Sequence, residues 1–136
     1  MANADKNLVQ QVPLFSGLSG KELSSIANLL RARTFPAGSE VVTEGRGGAG
    51  FFVIESGTAQ VSVEGKPVRT LGPGDHFGEI ALLTDSVRTA TITAETDLHC
   101  HGMTIWEFRP LVESNNAIAW KLLQNVARQL AEAERR

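Results

Sequence analysis

The chain has 136 residues, 42% of them hydrophobic and 21% charged, with a formal net charge of −2. That length suits one domain, residues 1–136, which can bury a core without disulfides or metal and has no room for a second catalytic domain. The acidic balance argues against a nucleic-acid-binding face. No apolar run approaches the roughly 20 residues of a membrane span, and the N-terminus lacks a basic-then-apolar signal region, so a cytoplasmic chain is expected. The single cysteine, Cys100, has no internal disulfide partner and reads as a small buried hydrophobe.

In chain order, Leu8, Val9 and Val12 stand at near-helical spacing and predict a short N-terminal helix that ends at Pro13. Ser19-Gly20-Lys21-Glu22 is a capping box, and Leu23, Ile26, Ala27 and Leu30 repeat at i, i+3, i+4 and i+7, which predicts a helix over 20–31. From Arg33 to Leu71, short apolar runs are separated by turn residues such as Pro36-Ala37-Gly38, Ser56-Gly57 and Glu64-Gly65-Lys66, a spacing that predicts a sandwich or barrel. Thr58, Gln60 and Ser62 alternate with Ala59, Val61 and Val63, whereas Phe51-Phe52-Val53-Ile54 has no polar face and is expected to be buried on both sides. The Gly45-Arg46-Gly47-Gly48-Ala49-Gly50 stretch lacks the Lys-Ser/Thr ending of a phosphate loop and reads as a hairpin loop.

After a last strand at 98–103 comes a second capping box, Thr104-Ile105-Trp106-Glu107. Residues 117–134 then carry Ile118, Ala119, Leu122, Leu123, Val126, Ala127 and Leu130 in a stripe of 3 and 4 spacing. Such an amphipathic helix fits a movable lid, a helix packed permanently on the barrel, or one half of a homodimer. His99-Cys100-His101 puts two imidazoles on one face of a strand, the arrangement a metal-binding cupin would use, but no third ligand follows from the spacing. Leu98, Cys100 and Met103 are expected to claim the core side, leaving His99 and His101 outward, and no metal is assigned.

The segment with chemistry at a fixed spacing is Phe77-Gly78-Glu79-Ile80-Ala81-Leu82-Leu83, followed by Arg88-Thr89-Ala90-Thr91-Ile92-Thr93-Ala94. Thr89, Thr91 and Thr93 alternate with Ala90, Ile92 and Ala94, so Arg88 sits at the mouth of a half-buried strand. Ile80 to Leu83 is long enough for about one helical turn, whose free N–H groups point back toward Gly78 and Glu79 and suit an anion. Glu79 as acceptor and Arg88 as donor, nine residues apart, match a ligand with a hydroxyl at one end and a phosphate at the other, as a ribose phosphate has. An arbitrary Glu and Arg on such a connection would instead be a surface ion pair.

This segment closely resembles the phosphate-binding cassette, here residues 77–89, of the cyclic nucleotide-binding domains found in catabolite-activator regulators, cyclic-nucleotide-dependent protein kinases and cyclic-nucleotide-gated channels. The resemblance implies a mainly β chain with flanking helices: an N-terminal helical segment over 1–31, a β jelly-roll barrel over 32–103, and C-terminal lid helices over 104–136. It implies a non-enzymatic regulatory module that binds a cyclic mononucleotide, needs no cofactor, and couples capture to movement of the C-terminal helix for an unknown effector protein. In the family's roles, Glu79 accepts from the ribose 2′-hydroxyl and Arg88 clamps the phosphate. Gly78, Ile80, Ala81 and Thr89 would offer backbone or hydroxyl donors, and Val61, Val68 and Leu71 would line the sugar and base. Arg69 and Thr89 resemble the guanine-reading pair of the cGMP-dependent protein kinases, although cAMP is placed ahead of cGMP.

Three departures accompany the resemblance. Val87 stands where the family often has proline, and Ala133 and Glu134 stand where the catabolite activator has the hydroxyl residues that hold adenine. A helix-turn-helix is absent from these residues. A protein-interaction domain with a vestigial pocket and a metal-binding cupin-like enzyme are the alternatives.

Overall fold

The computed structural model describes residues 6–46, 50–84 and 88–135, without the side chain of Ala81. The middle of the glycine-rich loop (47–49) and Val87 therefore lie outside the described residues. Eight strands are present among the described residues: β1 (Arg31–Phe35), β2 (Glu40–Val42), β3 (Phe51–Ser56), β4 (Ala59–Val63), β5 (Lys66–Leu71), β6 (His76–Phe77), β7 (Thr91–Ala94) and β8 (Leu98–Met103). They pair antiparallel in two four-stranded sheets, ordered β1-β8-β3-β6 and β2-β7-β4-β5. That order is the jelly roll expected from the sequence, built as two facing sheets that are not hydrogen-bonded into one closed barrel. Flanking it are helices α1 (Lys6–Gln10), α2 (Gly20–Ala27), α3 (Ile105–Glu113) and α4 (Asn116–Glu134), with a 3₁₀ turn at Pro13–Phe15.

Two cores share sheet β1-β8-β3-β6. On its inner face Phe52, Ile54, Leu98 and Cys100 pack with Val61 and Ile92 between the sheets. On its outer face Phe51, Val53 and Met103 pack with Phe15, Phe108 and Ile118 beneath the helices. The apolar run of β3 is thus covered on both sides, as its lack of a polar face required. Burial between the sheets pushes the Cys100 thiol up to about 12, so it is a protonated hydrophobe rather than a nucleophile. Phe15 meets Phe51 edge to face, with ring centroids 5.7 Å apart, and ties the N-terminal turn to the sheet.

Three expectations are corrected. Helix α2 stops at Ala27: the Ile26 and Ala27 carbonyls accept from the Leu29 and Leu30 amides at 3.0 and 3.1 Å, a closing turn that feeds Arg31 into pairing with Gly102 of β8. Leu30 fits the helical spacing because it is buried from the turn. Met103, five residues after Leu98, falls on the helix side of its strand, since strand faces alternate with period two. His101 shares that side and is buried, not outward; its Nε2 faces the Glu55 carboxylate of β3, while His99 stays exposed against Thr34.

The stripe of α4 also divides. Ile118, Leu122 and Asn125 form the buried line, whereas Leu123 and Leu130 are 59% and 60% exposed. Asn125 Nδ2 donates to the Leu14 and Ser16 carbonyls at 2.7 and 2.8 Å, and its Oδ1 accepts from Arg128 at 2.6 Å. Lys121 reaches the Glu22 carboxylate at 2.7 Å, the same carboxylate that closes the α2 capping box. Asn125→Ala strands two carbonyls at the helix interface, so it is expected to lower stability by about 1–3 kcal/mol, where exposed Leu130→Ala changes it by less than about 0.5 kcal/mol. Urea unfolding of the two variants checks the difference.

Candidate functional site

The cassette residues converge on one cleft of about 290 Å³ at the end of the β2-β7-β4-β5 sheet. Gly78 makes the turn into it. At φ +87° it adopts the left-handed conformation that favours glycine, and a Cβ there would strike the Gly50 carbonyl and press on the Arg88 guanidinium. The chain then closes a 3₁₀ turn over Glu79–Leu82, with Glu79 in its first position. Leu82 at its end is 2% exposed and belongs to the core beneath the helices, which leaves Glu79 and Ile80 on the cleft side.

Arg88 is located by its backbone first. Its amide donates to the Arg46 carbonyl and its carbonyl accepts from the Gly45 amide, both at 2.8 Å, while the Glu44 amide donates to Thr91 Oγ1 at 3.0 Å. This clip holds the segment ahead of β7 against residues 44–46 after β2, and Nη2 donates to the Gly50 carbonyl. The glycine-rich stretch is not the expected hairpin loop, because β2 and β3 belong to different sheets. Partial burial moves the guanidinium below its usual range against the opposing pull of the Glu79 charge, but an arginine so placed remains cationic at neutral pH.

Glu79 is the complementary group. Its Oε2 lies 3.2 Å from His76 Nδ1, and since a carboxylate only accepts, Nδ1 carries the proton. Burial pushes the Glu79 carboxyl up, yet the hydrogen bond from His76, its own backbone N–H and the charges of His76 and Arg69 outweigh this. The net position lies below the usual carboxylate range, so Glu79 is ionised at neutral pH. The cleft thus offers a carboxylate acceptor, a guanidinium donor and the start of the Glu79–Leu82 turn, over apolar walls from Val42, Val61 and Ile92.

Of the residues expected from the sequence, Val61, Arg69, Gly78, Glu79, Ile80, Arg88 and Thr89 line this cleft. Val61 and Arg69 do so because they are paired across β4 and β5. Val68, one residue off, is 59% exposed and does not line the cleft, and Leu71 is buried between the sheets. The Ala81 side chain lies outside the described residues. Sequence reasoning missed Val42, His76, Phe77, Ala90 and Ile92. His76 adjoins the cassette and was legible as a neighbour of Glu79 at i, i+3, whereas Val42 arrives only through β2-β7 pairing opposite Ile92.

Among the described residues no three His, Cys, Asp or Glu side chains gather as a metal site, and no helix is long and apolar enough to cross a membrane.

Comparison with known proteins agrees with this geometry. The family described as "Cyclic nucleotide-binding domain" matches residues 32–115, more than half of the chain. The cAMP-dependent protein kinase regulatory subunit of Yarrowia lipolytica is 42% identical over 92 residues, 66% of this chain and 24% of that protein. That of Aspergillus niger is 45% identical over 93 residues, 66% of this chain and 22% of that protein. The chain therefore spans about a quarter of the length of these relatives. Among solved structures, cAMP-bound PfPKA-R is similar with TM-score 0.68 and 26% identity, covering 95% of this chain and 46% of that one. The catabolite activator protein of Thermus thermophilus is similar with TM-score 0.72 and 27% identity, covering 90% and 60%. The chain belongs to the cyclic nucleotide-binding domain family.

Proposed function

We propose that this domain is a non-catalytic sensor that captures a cyclic mononucleotide, cAMP ahead of cGMP, and transmits capture to helix α4. The observation that carries the reading is that Glu79 and Arg88, nine residues apart, line one cleft with the Glu79–Leu82 turn. The Glu79 carboxylate accepts from the ribose 2′-hydroxyl, and Arg88 and the N–H groups of the turn receive the phosphate. Base and sugar lie over Val61 and the Arg69 side of the cleft. No cofactor or metal is required, and the effector is a separate protein or domain.

Transmission is supported by packing. Leu82 ends the cassette turn inside the core that also contains Phe108 of α3 and Ile118 and Leu122 of α4. A shift of the turn on ligand binding therefore has to be taken up by the helices, since a close-packed core does not deform continuously. No α4 residue lines the cleft; the helix is docked on the Pro13–Phe15 turn through Asn125. The sensor reading is that ligand draws α4 away from this docking toward the cleft.

Three outcomes are expected. Arg88→Ala removes a charged hydrogen-bond donor worth ~1.5–3 kcal/mol and lowers affinity roughly 10- to 150-fold, and Glu79→Ala lowers it somewhat less. Calorimetry with cAMP and cGMP reads both, and unchanged affinity in Arg88→Ala would remove this site. Hydrogen exchange in Asn116–Glu134 should change when nucleotide is added, and identical protection with and without ligand would mean a fixed helix. Thr89 lines the cleft beside Arg88, which supports reading its hydroxyl as an acceptor for the 2-amino group of a syn guanine. Thr89→Ala is then expected to weaken cGMP by ~0.5–1.5 kcal/mol more than cAMP in competition binding, and equal losses would show that Thr89 reads no base.

A further inference from the structure

The Glu79 carboxylate has a titratable neighbour that nucleotide capture does not itself require. His76, on β6, lines the cleft with Nδ1 3.2 Å from Glu79 Oε2, and its ring leans on Phe51 with centroids 6.2 Å apart. Its side chain is 24% exposed and that of Glu79 29%, so both are sheltered yet open to proton exchange with solvent. The charged groups that share the cleft with it, among the described residues, are Glu79 from the 3₁₀ turn, Arg69 from β5 and Arg88 from the segment before β7. From β3 the Phe51 ring leans on it and Val53 is its backbone pairing partner, neither of them titratable. Both arginines stay charged at any ordinary pH. Histidine is the side chain type whose unperturbed charge change falls between about pH 5 and 8, and His76 is the one histidine lining the cleft among the described residues.

We infer that His76 is a positioning residue that makes binding of an anionic nucleotide in this cleft depend on pH. The inference rests on the nucleotide reading above. With His76 neutral, its Nδ1–H orients Glu79 and leaves the cleft with two cations. With His76 protonated, the same bond becomes charge-assisted and a third cation joins Arg69 and Arg88 around the site that takes the phosphate. A carboxylate has about four acceptor positions, so Glu79 serves His76 and a ribose hydroxyl together. The sign follows from linkage: the anion prefers the protonated form, so affinity is highest below the imidazole range and falls as pH rises through it. Bound phosphate must correspondingly strengthen the hold of His76 on its proton. A cyclic phosphodiester keeps one charge throughout this range, and Glu79 lies below it.

The test is calorimetry of cAMP and cGMP binding to the whole chain between about pH 5.5 and 8.5. The wild type is expected to lose about three- to tenfold in affinity across that window, the scale of one partly screened charge several ångströms from the phosphate. His76→Gln keeps an N–H donor but does not titrate, and should bind with a flat profile. His99→Gln, exposed on β8 and not lining the cleft, should retain the slope. If His76→Gln is poorly folded, the imidazole resonances of the wild type give a second reading, in which the His76 midpoint must move to higher pH when nucleotide saturates the cleft. A flat wild-type profile, a slope that survives in His76→Gln, or an unmoved midpoint overturns the inference and leaves nucleotide capture standing. No binding of either nucleotide at any pH overturns the nucleotide reading and the inference together.

Discussion

The approach of the Arg88 guanidinium to the Gly78 turn is the contact on which the site depends. It requires a residue without a Cβ at 78, because the Gly50 carbonyl and the guanidinium occupy the space a side chain would need. It also requires that the segment before β7 be held in place, which the paired bonds between Arg88 and the Gly45–Arg46 backbone accomplish. With both conditions met, a cation ahead of one strand and an anion on a short turn face a common cleft instead of neutralising each other on the surface. The cost of partly burying Arg88 is offset by carbonyl acceptance and by the Glu79 charge, which leaves a cation lining the cleft.

The same turn belongs to two environments. Glu79 and Ile80 look into the cleft, while Leu82, three residues from Glu79, is packed with α3 and α4. A 3₁₀ turn is short and poorly hydrogen-bonded compared with an α-helix, so it moves as a unit at low cost. Its hydrophobic end cannot slide without repacking Phe108 and its neighbours. The lining of the cleft and the packing of the helices therefore meet within four residues of one turn.

Helix α4 is fastened by polar groups at an otherwise apolar interface. Asn125 answers two carbonyls of the N-terminal segment, and Lys121 completes the Glu22 carboxylate that caps α2. Such bonds specify where the helix sits more than they add net stability, since water would satisfy the same groups if the helix left. The exposed Leu123 and Leu130 further along show that the apolar stripe is not used up by the contact described.

Local chemistry was legible in the sequence. The capping boxes fixed where α2 and α3 begin, the unbroken apolar run of β3 required cover on both faces, and Gly78-Glu79 with Arg88 carried the site at its family spacing. These are matters of backbone conformation, strand alternation and residue chemistry, all encoded within a few neighbouring positions. Tertiary structure decided the rest. Val68 and Arg69 are adjacent in sequence, yet the register with β4 turns Arg69 into the cleft and leaves Val68 in solvent. His101 is polar and alternates with core residues, so it reads as outward until Glu55 and the helices cover it. Asn125 lies outside the apolar stripe read from the sequence, and it is buried because its amide meets the Leu14 and Ser16 carbonyls, over a hundred residues earlier. In each case the residue's fate was set by a partner distant along the chain, and periodicity reports which side of an element a residue occupies but not what that side will face.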